Sequence, residues 1–303
     1  MQYLFSQLVS ALQPNPRLDA AVQSSQVSSS LENLWVASPA IALSLIHQGA
    51  TLLDARSCVW QHLGMLKGSV SVSWQQFSQS QNPNRGKLLT NEAQLTQKLR
   101  SVGVKCDRPV VVVGDPQTGW GEEGRIVWML RTLGHRQSLF VDGGYRALTK
   151  AGFPVTWRVR TQATQPGDFT IRRNSQWEIN REQLHEAWKA GEVVAIDTRE
   201  RREYQGKIPY GESRGGHIPG AIHLYYKELL DENGYLLSAS EILHQLQIRG
   251  ISPNASLVSY CTGGIRSGWL TAVLANLGIC AKNYPGSMWE WSAGAETVYH
   301  LAC

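Results

Sequence analysis

The segment with the clearest chemistry is Cys261-Thr262-Gly263-Gly264-Ile265-Arg266-Ser267. A thiol is followed by two glycines and then by an arginine. The run before it, Leu257-Val258-Ser259-Tyr260, has the length and composition of a buried strand. Beyond it Leu270, Val273, Leu274 and Leu277 recur at helical steps, and Gly278 supplies a stop. The spacing therefore predicts a strand that hands the chain to a helix at Cys261. Free backbone N–H groups and the positive end of the dipole at a helix N-terminus favour an anion. A thiol placed there loses its proton more easily than a free cysteine, whose pKa is about 8.5. The loop from Thr262 to Ser267 can then turn its N–H groups on a bound anion, with Arg266 as anion binder and brace.

The elements that carry this loop occur twice. In the first unit Ala40 to His47 reads as a helix stopped by Gly49, and Thr51 to Asp54 as a strand followed by Ala55-Arg56. A second apolar strand, Val110 to Val113, precedes Gly114-Asp115. A helix through Ile126, Val127, Leu130 and Leu133 stops at Gly134. The second unit repeats the order: Arg181 to Ala190 as a helix with Asn180 as N-cap, then Val193 to Asp197 followed by Thr198-Arg199, then the Cys261 strand. Alternating short strands and helices predict an α/β fold: two tandem domains, each an open, mainly parallel sheet flanked by helices. Ligands in such sheets sit beyond the carboxyl ends of the strands. The division expected is an N-terminal extension over 1–37, a first domain over 38–157, a linker over 158–179 and a second domain over 180–303. Asp115 falls at the Cys261 position, in a loop about two residues longer, so the first domain is expected to be catalytically silent.

Composition narrows the function classes. The five cysteines of the 303-residue chain form neither a C-x-x-C pair nor a zinc spacing. A reducing, cytoplasmic setting with no metal or cofactor is the simplest expectation. A net charge of +5 suits an anionic small substrate. The basic residues form no long run; Arg158, Arg160, Arg172, Arg173 and Arg181 read as a solvated face of the linker, so nucleic acid is not expected. No apolar run reaches the ~18 residues of a membrane span. The first 30 residues lack the basic and apolar regions of a secretory signal, although Leu4, Phe5, Leu8 and Val9 suit a short amphipathic turn.

Four motifs in order resemble the rhodanese family, specifically its tandem two-domain sulfurtransferases for thiosulfate and 3-mercaptopyruvate. They are Asp197-Thr198-Arg199 with Glu203-Tyr204; Gly216-His217-Ile218-Pro219-Gly220-Ala221; the loop from Cys261 to Arg266; and Tyr284-Pro285-Gly286-Ser287-Met288-Trp289-Glu290-Trp291. The resemblance implies two similar α/β domains with the active site in the second, near the interface. It also implies double displacement: Cys261 takes the outer sulfur of an anionic donor as a persulfide and passes it to an acceptor. The acceptor would be cyanide-like, a small thiol or a thioredoxin-like protein. Loop N–H groups can stabilise the persulfide anion without a cofactor.

Around this centre Glu203 is expected to pair with Arg266 and hold the loop, and Trp289 and Trp291 to wall the pocket or fill the core. Asp197 and Arg199 are expected to tie the strand end to a neighbouring loop, and His217 to serve a turn. Two other readings compete. Some phosphatases share a Cys…Arg anion loop, but they place five residues between the two, where this chain has four. A non-catalytic binding protein would suit the first domain alone.

Overall fold

The computed structural model describes residues 31–303. The amphipathic turn expected at Leu4, Phe5, Leu8 and Val9 lies outside the described residues. The first domain runs β1 (Val36–Ala37), α1 (Pro39–His47), β2 (Thr51–Asp54), α2 (Cys58–His62), β3 (Met65–Leu66), β4 (Val70–Ser71), α3 (Glu92–Ser101), β5 (Val110–Val113), α4 (Glu122–Thr132), β6 (Ser138–Val141), α5 (Gly144–Lys150) and β7 (Val155–Thr156). The second runs α6 (Arg181–Lys189), β8 (Val194–Asp197), α7 (Arg201–Tyr204), β9 (Ile222–His223), α8 (Ala239–Gln247), β10 (Leu257–Tyr260), α9 (Ile265–Asn276), β11 (Ala281–Asn283) and α10 (Ser287–Trp291).

Each domain holds a parallel sheet, in the order β1-β6-β5-β2-β4 in the first and β11-β10-β8-β9 in the second. The central strands β5 and β10 are wholly buried. Buried on both faces, they read as near-continuous apolar runs, as strands of parallel sheets do. Asn180 caps α6 as expected: its side chain accepts from Gln183 N at 2.8 Å, and Gln183 Oε1 accepts from Asn180 N at 3.2 Å.

The domains meet along α4 and α9. A Cβ on Gly124 of α4 would lie 2.5 Å from Trp269 Cα of α9, so glycine lets the two helices touch. Asn276 Oδ1, near the end of α9, accepts from the backbone N–H of both Trp35 and Val36 at 3.0 Å. A single apolar core, holding Trp128, Trp269 and residues of both sheets, continues through the interface.

Three expectations need correction. The first domain starts before residue 38, because β1 pairs with Phe140 and Val141; two residues are too few to show a periodicity. The segment 158–179 is more than a solvated strap: Phe169 is buried, and the N–H groups of Ala163, Gly167 and Arg172 bond to carbonyls of the first domain. Its arginines do remain exposed or half-buried.

The third correction concerns register. Asp54 pairs with Val113, and Asp197 pairs with Tyr260, so Gly114 rather than Asp115 matches Cys261. Tyr145 N donates to Gly114 O just as Met288 N donates to Cys261 O. The following loops end on Gly121 and Gly264, the N-caps of α4 and α9, both left-handed. The first-domain loop is therefore four residues longer, not two. The segment between the paired strands is four residues shorter in that domain. The two differences cancel, which hides the slip from a reading of spacing.

Candidate active site

Cys261 follows the carboxyl end of β10 and is buried. Its backbone is fixed from α10: Cys261 N donates to Ser287 Oγ at 3.0 Å, and Met288 N donates to Cys261 O at 3.1 Å. Gly264 adopts φ 83°, a left-handed angle that glycine takes without a Cβ penalty. That turn aims Gly264 N at Cys261 Sγ, 3.1 Å away. Ser267 Oγ lies 3.6 Å from the sulfur and 2.7 Å from Asn283 Oδ1. Asn283 Nδ2 in turn donates to Gly264 O at 3.2 Å. Burial alone would raise the thiol pKa, but the Arg266 charge and hydrogen bonds from Ser267 and Gly263 outweigh it and hold the pKa below the ordinary thiol value.

Arg266 and Glu203 are both buried and form a two-pronged pair, Nη1 to Oε2 at 2.6 Å and Nη2 to Oε1 at 2.8 Å. Thr262 Oγ1 closes the group, donating to Glu203 Oε1 at 2.8 Å and accepting from Arg266 Nη2 at 2.7 Å. Burial pushes the Glu203 carboxyl up, yet its bonds to Arg266 and Thr262 bring it below the usual range. Arg266 thus spends its fork inside the protein, with Trp120 of the first domain over its guanidinium at 4.9 Å. That geometry suits a brace better than an anion binder.

The sulfur faces a cavity of about 560 Å³ lined from both domains, by Cys261, Gly263, Tyr210 and Trp289 of the second and by Trp120 and Arg85 of the first. Trp289 packs its ring on Gly263, donates Nε1 to Tyr210 O at 3.0 Å and carries the Arg85 guanidinium over its face at 4.2 Å. Trp291 is core packing instead, set among Tyr284, Trp188 and Tyr299.

Asp197 and Arg199 lie outside this cavity. Arg199 grips Asp197 and donates to Gly216 O at 2.7 Å. Arg56 grips Asp54 and donates to Gly64 O at 2.7 Å in the first domain. A device present in both domains serves the fold, not the sulfur. His217 stacks on Tyr204, and its Nδ1 lies 2.9 Å from Tyr204 O, within the turn. Cys58, Cys106, Cys280 and Cys303 are exposed, and no metal-binding cluster occurs among the described residues.

The first domain differs at more than the thiol position. Glu123 stands at the position of Arg266, and its carboxylate fills the space a side chain on residue 114 would need: a Cβ there would lie 1.9 Å from Glu123 Oε2. Asp115 turns its carboxylate back onto Gln117 N, Thr118 N and Thr118 Oγ1.

Spacing alone missed Ser287, Arg125 and Arg85. Ser287 lies in a motif already singled out, opposite Gly144 in the repeat; its positive φ of 47° beside 58° at Gly144 was the hidden signal. Arg125 is buried in the first domain and donates to Gly264 O at 3.2 Å, and also to Gly86 O and Ser78 Oγ. Nothing in the sequence near Arg125 or Arg85 points to Cys261.

Comparison with known proteins agrees with this architecture. The rhodanese-like domain model matches residues 38–151 and again 180–294. The chain is 26% identical over 251 residues to the thiosulfate sulfurtransferase of Azotobacter vinelandii, covering 82% of this chain and 90% of that one. It is 26% identical over 223 residues to the 3-mercaptopyruvate sulfurtransferase of Mus musculus, covering 71% and 73%. Its fold is similar to that of 3-mercaptopyruvate sulfurtransferase from Leishmania major, with a TM-score of 0.74 at 20% identity over 86% of this chain and 75% of that one. With two matching domains in tandem and a cysteine loop at the end of the second sheet's central strand, the chain belongs to the rhodanese family of sulfurtransferases.

Proposed function

We propose that the chain moves sulfane sulfur from thiosulfate to a thiol or cyanide-like acceptor through a persulfide on Cys261. The observation that carries this reading is the Cys261 sulfur itself. It accepts the Gly264 N–H at the start of α9, has a lowered pKa and faces a cavity with no metal-binding cluster among the described residues.

In the first half-reaction the thiolate attacks the outer sulfur of thiosulfate. The new Cys261 S–S bond forms as the S–S bond of the donor breaks, and sulfite leaves with the bonding pair. In the second, an acceptor thiolate attacks the outer persulfide sulfur. The acceptor becomes a persulfide, or thiocyanate if it is cyanide, and the Cys261 thiolate returns. Electrons balance with no outside oxidant, and no general base is needed if the thiol is already ionised. The loop N–H groups stay aimed at the anion throughout.

3-Mercaptopyruvate is the second donor to test, because a relative named for it is as similar as one named for thiosulfate. In that case the thiolate takes the sulfur of the donor thiol and pyruvate leaves after protonation at carbon. A small thiol or a thioredoxin-like protein is the acceptor we favour. Exposed, unpaired cysteines suit a reducing compartment, and we place the protein in the cytoplasm.

The test is intact mass after exposure to each donor alone. Wild type should gain about one sulfur atom, and Cys261→Ser should gain none and turn over neither donor. Undiminished turnover by Cys261→Ser would sink the assignment. Hydrolysis of aryl phosphates in place of sulfur uptake would favour the phosphatase reading.

A further inference from the structure

The cavity above Cys261 poses an electrostatic problem. Its donor is an anion, and the sulfur it meets is a thiolate. Glu122, a half-buried side chain whose carboxylate accepts from Trp120 N at 2.7 Å, adds an acidic group to the wall. Arg266, the cation the sequence points to, is matched by Glu203 at 2.6 and 2.8 Å and shows only 2% of its surface. Opening that pair to bind a donor would strand a buried carboxylate without its partner.

One cation on the wall is differently placed. Arg85 of the first domain is exposed, lines the cavity and has no ion pair or hydrogen bond among the described residues. Its guanidinium rests on the Trp289 ring at 4.2 Å, and that same ring packs on Gly263 of the cysteine loop. The backbone beside it is locked in place. Arg125 donates to Gly86 O, and Gly86 touches the loop so closely that a Cβ there would lie 2.3 Å from Gly263 O. The Arg85 backbone is fixed next to the sulfur loop while its five donors stay free.

We propose that Arg85 is the donor-recognition residue: the silent domain supplies the cation that holds the sulfonate or carboxylate end of an anionic donor while its outer sulfur meets Cys261. The planar fork matches either end group with two parallel N–H bonds, and the Trp289 face orients it. The substrate class is a small anion carrying transferable sulfur at one end and a forked oxyanion at the other. This rests on the sulfur-transfer reading above and adds to it which residue selects the donor.

The test compares wild type, Arg85→Met and Arg85→Lys in the full chain. Arg85→Met keeps a straight apolar stem over Trp289 and removes the charge. Persulfide formation from thiosulfate is followed by rapid-quench mass measurement; the control is an uncharged dialkyl trisulfide, which the same thiolate attacks to leave an alkyl di- or trisulfide adduct on Cys261 as an alkyl persulfide or thiolate departs. For Arg85→Met the thiosulfate concentration at half-maximal rate should rise about tenfold or more, as expected when a hydrogen bond to a charged group is lost. The limiting rate should stay within about twofold and the trisulfide reaction should not change. Arg85→Lys should recover part of the loss, and added salt should weaken wild type more than Arg85→Met. An unchanged half-saturating thiosulfate concentration in Arg85→Met, or an equal loss with both donors, would overturn the assignment. Should wild type take no sulfur from any donor, sulfur transfer itself fails, and this proposal with it. Arg85 is exposed, so the melting temperature should not move; a drop of several degrees would assign Arg85 a structural role and also overturn it.

Discussion

Ser287 holds a φ of 47°, which Gly144 matches at 58° in the first domain. A left-handed angle costs a residue with a Cβ about 1–2 kcal/mol. In the second domain the serine at this angle accepts Cys261 N at 3.0 Å and donates to Tyr284 O at 2.7 Å. Ser287→Gly should therefore relieve strain while freeing the Cys261 backbone: melting should change little, while persulfide formation falls about tenfold, roughly the value of one lost hydrogen bond. Ser287→Ala keeps the strain and orphans the buried N–H, so it should also lose about 1–3 kcal/mol of stability. Turnover by Ser287→Gly at the wild-type rate would remove the hydroxyl from the argument.

Acidity makes a second test at this scale. With the thiol pKa lowered, the thiolate persists below the pH at which an ordinary cysteine protonates, and persulfide formation should fall only as pH drops through that lower value. The double change Arg266→Met with Glu203→Gln removes the buried charges together, so neither is stranded. It should shift the pH midpoint of Cys261 alkylation upward, and an unmoved midpoint would deny Arg266 its part in ionising the thiol. Cys261, Arg266 and their pairing with Glu203 were legible because a short loop and a helix start place them. Ser287 was not: its contact is made across 26 positions by a backbone angle that composition does not reveal.

At the scale of elements, α4 and α9 are counterparts with an acidic residue in one and a basic residue in the other at one position. Arg266 in α9 has a carboxylate partner, whereas Glu123 in α4 is buried with its Oε2 lacking a hydrogen-bond partner among the described residues. Burial first, and then the neighbouring Glu122, push the Glu123 carboxyl up to about 8. The sign follows directly. The folded state binds a proton that the unfolded chain releases near pH 4.5, so stability from this group is full below that value. It declines as pH rises and is lost by about pH 8. Glu123→Gln should flatten that decline and make the protein more stable than wild type at pH 8, by chemical denaturation across pH 5 to 9. A parallel decline in the variant would show that Glu123 does not carry it.

The strands and helices flanking the cysteine loop were readable because β10 is a four-residue apolar run and α9 has clear spacing. β1 was not, since a two-residue edge strand takes its identity from Phe140 and Val141 across the sheet. The Asp115 register failed for a related reason: two compensating length differences leave the spacing of the flanking motifs nearly intact.

At the scale of the whole molecule, the first domain supplies part of the cavity wall at Cys261. Arg125 makes the connection: from α4 it donates to Gly264 O in the sulfur loop and to Gly86 O beside Arg85. Burial lowers its pKa to about 10, still high enough for it to be charged at neutral pH, and the nearby Cys261 favours that charge. No local pattern in either domain could show this, because the bond spans 139 positions and exists only once α4 and α9 are packed. Arg125→Met should take the donor from Gly86 O, leave Gly264 O with only Asn283 Nδ2 and Gly268 N, and destabilise the chain by about 1–3 kcal/mol. Its effect on chemistry should be larger. The loop that aims Gly264 N at the sulfur would lose its outer support, and Arg85 would lose its fixed distance from Cys261. Both the half-saturating donor concentration and the limiting rate should therefore worsen, in contrast to Arg85→Met, which should worsen only the first. Measuring the two variants side by side separates a residue that meets the donor from one that holds the two halves of the site together. If Arg125→Met melts early yet turns over thiosulfate like wild type, the bond serves stability alone and the two domains need only touch, not cooperate.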